Sequence, residues 1–273
     1  MRTKVISSLK LIVFALFISI WFTSGYAIKK TVITPQNKMG KQFTLNLPTF
    51  SAINVVGPLQ ISLLDHQQQQ TITVMAPIDI APFINASVQN NTLLLETHFP
   101  SNYKNLPIPI KINMRPLLTD LTVRGVASVS GRIVGNPGLS ILLTNSGNIL
   151  LKGKDIPLHS VENDSQNDIT IQGIRSKDLL VRGSGEGGKI DLSGQTDLLN
   201  AQIKKAMTLY SQTLFARKIY ITAQDNALAF VCPVDALYGF AYGNSNIYYY
   251  HNNPRNIVRD TYVSGNVLKM PRY

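Results

Sequence analysis

Cysteine is nearly absent from this 273-residue chain. Cys232 stands alone, so neither an internal disulfide nor a cysteine-built zinc site is available. Charged residues are also scarce, at 15%, against 44% apolar residues, a balance that excludes a solvated, disordered chain. The 18 glycines and 14 prolines follow no triplet period, which excludes a collagen-like rod. Apolar residues recur at helical spacing nowhere over a useful length. After residue 30 no apolar stretch is long enough to cross a bilayer as a helix.

The one long apolar run lies at the start. Arg2, Lys4 and Lys10 precede Leu11 to Phe22, whose single polar member is Ser19, and small residues follow at Gly25 and Ala27. That order fits a secretory signal peptide, residues 1–27, cut after Ala27. The run is short of the ~20 apolar residues of a span, so no stable membrane span is expected after cleavage. Removing the three basic residues lowers the formal charge from +11 to +8 and takes away Trp21. The remaining positive charge is scattered, without the basic stripe that a nucleic-acid partner needs. The expected location is outside the cytoplasm, in the periplasm or at the cell surface.

What the chain has in abundance is repetition. Leu121, Leu139, Leu158, Leu179, Leu199, Ile219, Leu237 and Ile257 follow one another at 18 to 21 residues. A second series trails the first by about ten: Val129, Ile149, Ile169, Ile190, Met207, Leu228, Ile247 and Val267. Around most members the apolar residues alternate with polar ones, as in Leu139-x-Ile141-x-Leu143, Ile169-x-Ile171 and Leu228-x-Phe230, which spells a strand with one face buried. Turn residues separate the two strands of a repeat, among them Asn145 to Asn148, Ser165 to Asp168 and Gly185 to Gly188. Gly153, Gly173 and Gly194 turn the chain again after the second strand. A twenty-residue unit cannot close a core alone, so it buries its column against the same column one repeat along. The predicted fold is all-β: a right-handed parallel β-helix, or β-solenoid, of about 20 residues per coil. An antiparallel sandwich also uses many short strands, but the steady beat favours the coil.

The regular part spans residues 119–251. Residues 28–42 read as a flexible lead and 252–273 as a C-terminal cap. Residues 43–118 carry strand-like runs at 43–47, 52–56, 59–63, 71–75, 93–97 and 108–113, either irregular first coils or a sheet that caps the exposed edges. Ser160 and Glu162 fall in the inward column of their strand, and a buried unpaired carboxylate is costly, so a bulge or exposed corner is expected there. Arg259 and Lys269 would point inward in the last turn.

Several segments carry a resemblance. Phe50 to Gly57 with Leu59 to Leu63, Leu121 to Gly125, Ser146 to Ile149 and Gly185 to Ile190 resemble the family named "putative autotransporter adhesin, head GIN domain", over residues 45–250. The resemblance implies an exported bacterial envelope protein built as a β-helix, and it carries no catalytic residues over. No segment matches the membrane barrel of a true autotransporter.

Reactive groupings are few. His66, His98, His159 and His251 have no paired-ligand spacing. Gly183 to Gly188 lacks the Lys-Ser/Thr of a phosphate loop and reads as a glycine corner. Glu162, Asp164, Asp168 and Glu186 gather near one corner, with Arg182 as a conceivable base, the pattern behind an alternative reading as a polysaccharide lyase. No metal or cofactor is expected. The candidate binding surface is aromatic: Tyr238, Phe240 and Tyr242 alternate outward on one strand, Tyr248 and Tyr250 on its partner, and Tyr220 lies one coil below Tyr238. Such a ladder offers flat faces and hydroxyls to sugar rings, unless residues 252–273 or another subunit cover it. The expected function is a non-enzymatic, adhesin-like binding or scaffold protein whose partner is glycan or an envelope protein. End-to-end assembly through the sheet edges is a third possibility, and an oligomer is compatible with it.

Overall fold

The apolar–polar alternation of the repeats is read out as strands in the computed structural model. It describes residues 41–64, 69–99, 107–114, 118–134, 138–250, 255–262 and 265–271. The predicted signal peptide, most of the lead, His66 and His251 lie outside the described residues. The sequence-predicted β-solenoid is the observed fold: the described residues hold no α-helix, only a 3₁₀ turn at Ala81–Phe83, and the coil makes about seven turns of about 20 residues.

The N-terminal strands are β1 (Lys41–Leu45), β2 (Ala52–Val56), β3 (Leu59–Leu64), β4 (Thr71–Ala76), β5 (Ile84–Gln89), β6 (Thr92–Thr97) and β7 (Ile108–Asn113). Both readings of this third hold at once. β2 and β3 form a true coil, each paired in parallel on both sides: β2 lies between β6 and β8 (Asp120–Arg124), and β3 between β7 and β9 (Ser128–Val134). The chain thus lays down its second coil outside the first, then crosses back to continue the stack. β5 closes the outer edge antiparallel to β6, while β4 closes it antiparallel to β7 and carries β1. Reversing strand direction at the end replaces an open parallel edge with hairpins.

From β8 onward the coil is regular. Two faces are built by β10 (Leu139–Asn145), β11 (Asn148–Ile156) and β12 (Leu158–Ser165), then by four long strands that bend around a corner: β13 (Asp168–Gly183), β14 (Lys189–Ile203), β15 (Thr208–Ala223) and β16 (Leu228–Tyr242). β17 (Asn246–Tyr249), β18 (Asn256–Tyr262) and β19 (Asn266–Lys269) complete it. The return between coils, which the sequence suggests is loose, is itself paired: Arg175, Gln195, Phe215 and Cys232 stand in one register row, and Ser176, Thr196, Ala216 and Pro233 in the next. It forms a third, narrow face. Entry to this face needs glycine. Gly173 and Gly194 hold φ of +88° and +133°, and a Cβ on either would collide with a carbonyl oxygen of the coil below, that of Gly153 or Ile174.

The core is a pair of aliphatic columns. On one face Leu93, Ile53, Leu121, Ile141, Val161, Val181, Ala201, Ile221 and Gly239 are in register. On the other the column is Ile110, Ile61, Val129, Ile149, Ile169, Ile190, Leu209, Ala229, Ile247 and Val267. The sequence series is therefore shifted at three places. Leu121 stacks on Ile141, not Leu139; Leu209 replaces Met207, which is buried elsewhere in the interior; and Ala229 replaces Leu228. Leu228 and Phe230 face outward, half-buried, because Ala227, Ala229 and Val231 take the inward positions. The shortfall in volume is made up from the other side. Ile247 and Val267 close on Gly239, where an added Cβ would stand 3.7 and 3.3 Å from their methyls, and Tyr249 is 1% exposed.

The misfit at Ser160 and Glu162 is relieved by a bulge. Leu139 pairs with Leu158 but Ser140 with Ser160, so His159 is the extra residue, and Val161 rather than Ser160 turns inward. At the other end Lys269 is exposed. β18 pairs with β16 and β19 with β17 in parallel, so these strands form the coil's last rung instead of folding back over the aromatic residues.

Candidate functional site

Strict register fixes what the aromatic residues do. In a parallel coil, equivalent outward positions on successive rungs stand ~4.8 Å apart, a distance suited to face-to-face rings. Tyr220 and Tyr238 are register partners and stack with ring centroids 4.4 Å apart and planes within 4°. On the neighbouring face Tyr210, Phe230 and Tyr248 form a three-ring column, with centroids 5.1 Å apart at each step and planes at 1° and 18°. Tyr250 leans on Phe230 at 6.5 Å. The outward positions expected of Tyr220, Tyr238, Phe240, Tyr242, Tyr248 and Tyr250 are those observed: all are half-buried except Tyr220, which is 42% exposed. Two members are not legible from the spacing: the run Leu228-x-Phe230 predicts Phe230 inward, and Tyr210 points outward because Leu209, not Met207, stands in the column.

The stacking has a chemical consequence. Each ring inside a column spends its faces on its neighbours, so the surface of the ladder is mostly ring edge and phenol hydroxyl. The apolar strip continues on the last rung as Val258 and Leu268, which are in register with Tyr238 and Tyr248 and exposed.

Two of the four carboxylates at the acidic corner have partners on the next rung. Arg182 Nη1 donates to Glu162 Oε1 at 3.0 Å one rung away, and the Ser184 hydroxyl donates to Asp164. The group nominated as a base is therefore the counter-ion of one of the carboxylates. Among the described residues no three His, Cys, Asp or Glu side chains converge as a metal site. The inside of the same corner is held by Asn163, which is fully buried. Its Nδ2 donates to the carbonyls of Asn167 (2.9 Å) and Lys189 (3.3 Å), and its Oδ1 accepts from the Ser165 amide (3.0 Å) and hydroxyl (2.7 Å). His98 and His159 are exposed. Cys232 is buried, its thiol donating to the Tyr250 carbonyl at 3.0 Å. Partial burial pushes the Asp191 carboxyl above the usual range.

The fold is a β-solenoid with outward aromatic columns, and at its acidic corner Glu162 and Asp164 each meet a side chain one rung along. Residues 49–254 match the family described as "Putative auto-transporter adhesin, head GIN domain", and the chain belongs to that family. Auto-transporter adhesins are exported proteins, so membership points to export; among the described residues no helix is long and apolar enough to cross a membrane. Solved structures share the fold. A "putative lipid binding protein" from Parabacteroides distasonis aligns with a TM-score of 0.71 at 18% identity, over 84% of this chain and 96% of its own. A "putative adhesin" from the same species gives 0.69 at 18% identity, over 85% and 98%. Another "putative adhesin", from Bacteroides fragilis, gives 0.58 at 19% identity, over 84% and 96%. No curated protein matches the chain.

Proposed function

We propose that this protein is a non-enzymatic, adhesin-like binding protein, exported with cleavage after Ala27, that holds glycan of the bacterial envelope against its outer faces. The observation that carries the reading is the display of aromatic side chains on backbone-fixed rungs at 4.4–5.1 Å intervals. Binding then costs little ordering of the protein, because the side chains are already held in place. The edges and hydroxyls of Tyr238, Tyr242, Tyr248 and Tyr250 supply repeated, individually weak contacts suited to a long polymer. Weak contacts repeated along one chain add up to useful retention.

The test is retention of the full chain on insoluble peptidoglycan, chitin and starch, beside phosphatidylglycerol vesicles. Retention on a glycan, reduced when Tyr238→Ser and Tyr242→Ser are combined, supports the reading. Capture by vesicles alone, or by no glycan at all, refutes it. A released product in any of these incubations would overturn the non-enzymatic assignment. The mature N-terminus of the exported protein is expected at Ile28, which N-terminal sequencing reads directly.

A further inference from the structure

The narrow return face carries a groove of about 830 Å³ that no ladder ring lines. Two columns of outward side chains wall it. The register sets Arg175, Gln195 and Phe215 in line on one side; Lys177, Asp197 and Arg217 stand two residues further along each rung, and Ser176 and Thr196 floor the space between. It crosses six rungs, from Gly138 to Val234, a length of roughly 24 Å at the usual rung spacing.

Three properties of this groove constrain what it can hold. Its charge is mixed: three cations, Arg175, Lys177 and Arg217, stand among the lining carboxylates Asp178 and Asp197 and the flanking Asp155 and Asp235, one negative charge in excess. Ion pairs join Arg175 to Asp155 at 3.3 Å and Arg217 to Asp197 and Asp235 at 3.9 and 3.2 Å. A polyanion would find no positive field there. Hydrogen-bonding capacity is left over, because among the described residues the side chains of Lys177, Asp178 and Gln195 have no partner. They offer a donor, an acceptor and an amide that is both. Finally, Phe215 is 47% exposed and, unlike the ladder rings, stacks on no other ring among the described residues. Its register neighbours are Gln195 and Cys232, so the ring keeps a free face.

We infer that this groove is a subsite for a neutral oligosaccharide, with Phe215 as the platform for the C–H face of one sugar ring and Gln195, Lys177 and Asp178 as partners for its hydroxyls. An open aromatic face flanked by donors and acceptors of both signs matches a ligand that is apolar on its flat side and polar at its rim. Six rungs of length select an oligosaccharide over a monosaccharide. The inference rests on the glycan-binding reading above and gives it a seat distinct from the ladder.

Calorimetry on the full chain with maltohexaose, cellohexaose, chitohexaose and mannohexaose, and with a heparin hexasaccharide as the polyanion, tests it. Binding of at least one neutral hexasaccharide is expected, weakened about tenfold or more by Phe215→Ala and held within about twofold by Phe215→Trp. Gln195→Ala weakens it several-fold. Phe215 is exposed, and an unchanged melting temperature for Phe215→Ala confirms that folding is intact. Wild-type affinity in Phe215→Ala, or binding of heparin alone, would overturn the groove assignment. If insoluble glycan retains the chain but none of the hexasaccharides binds, the groove falls and the broader reading stands. If neither occurs, both fall.

Discussion

Asn163 gives the sharpest test of how the coil is held at its corners. Its amide makes four hydrogen bonds with nitrogen and oxygen partners and a long fifth to Met207 Sδ (4.0 Å) inside a fully buried site, joining the end of β12 to the turn at Asn167 and to the start of β14. Asn163→Ala removes all five. The Ser165 hydroxyl and the Asn167 carbonyl retain each other at 3.4 Å, so the principal stranded group is the Ser165 amide. One buried unsatisfied donor costs about 1–3 kcal/mol, and each lost bond about 1 kcal/mol net. With partial relaxation the expected loss is about 3 kcal/mol, a fall in melting temperature of roughly 6–12 °C for a domain of this size. Asn163→Asp adds a signed control. The new carboxyl is buried against two carbonyl oxygens, so its folded pKa is raised above the unfolded value of about 3.9. Its stability contribution is full below that unfolded value, where the acid form can still donate, and is lost as pH rises through the raised folded pKa. Urea denaturation should show Asn163→Asp closest to wild type near pH 4 and furthest from it above pH 7, with Asn163→Ala lacking that added trend. A loss below about 1 kcal/mol in Asn163→Ala, or an Asn163→Leu variant as stable as wild type, would refute the argument that this corner is held by hydrogen bonds.

The other expectations are briefer. Gly194→Ala puts a methyl into the Ile174 carbonyl at φ +133° and should cost about 3 kcal/mol or more, or prevent folding; an unchanged midpoint in urea would contradict the close approach of the coils there. Phe230→Ala removes the middle ring of a three-ring column and should cost about 1–3 kcal/mol from two lost stacks, read as a lower melting temperature with the fold retained. Asp191 should titrate above an ordinary aspartate in a carbon-detected NMR experiment, because burial disfavours its charged form. Since its folded pKa is raised, Asp191→Asn should match wild type in stability at pH 3 and exceed it slightly at pH 7.

The sequence made the coil legible because a parallel stack imposes the same demand every twenty residues. Ile149, Ile169 and Ile190 answer it with one kind of side chain, and Gly153, Gly173 and Gly194 punctuate the same corner. Legibility failed where the demand was met by small residues. At Leu228 and Phe230 the largest apolar side chains lie outside and alanines lie inside, so hydrophobicity alone picks the wrong parity; a one-residue slip inverts every side chain of a strand. The crossover that places β6 and β7 outside β2 and β3 was equally hidden, since stacking order across non-consecutive coils leaves no trace in spacing. The bulge at His159 was readable in advance, because a carboxylate in an inward column has nowhere cheaper to go. The return groove was not, because Lys177, Asp197 and Arg217 look like ordinary solvated residues until the register sets them in a row.

That difference bears on how a solenoid of this kind acquires a ligand. Rung spacing is set by the backbone and is nearly the optimal separation of stacked rings, so aromatic residues repeated at one position satisfy one another first. The Tyr210, Phe230 and Tyr248 column therefore adds to the rigidity of the coil's C-terminal half as much as to its recognition surface. An aromatic ring is free to meet a planar ligand with its face only where the repeat is broken, so that the positions above and below are not rings. Phe215, between Gln195 and Cys232, meets that condition, and the Tyr220–Tyr238 pair meets it only at its two ends, where Asn200 and Val258 are the register neighbours. On a parallel coil the binding ring is thus to be sought at departures from the pattern, and the pattern itself explains the stiffness that makes such a ring useful.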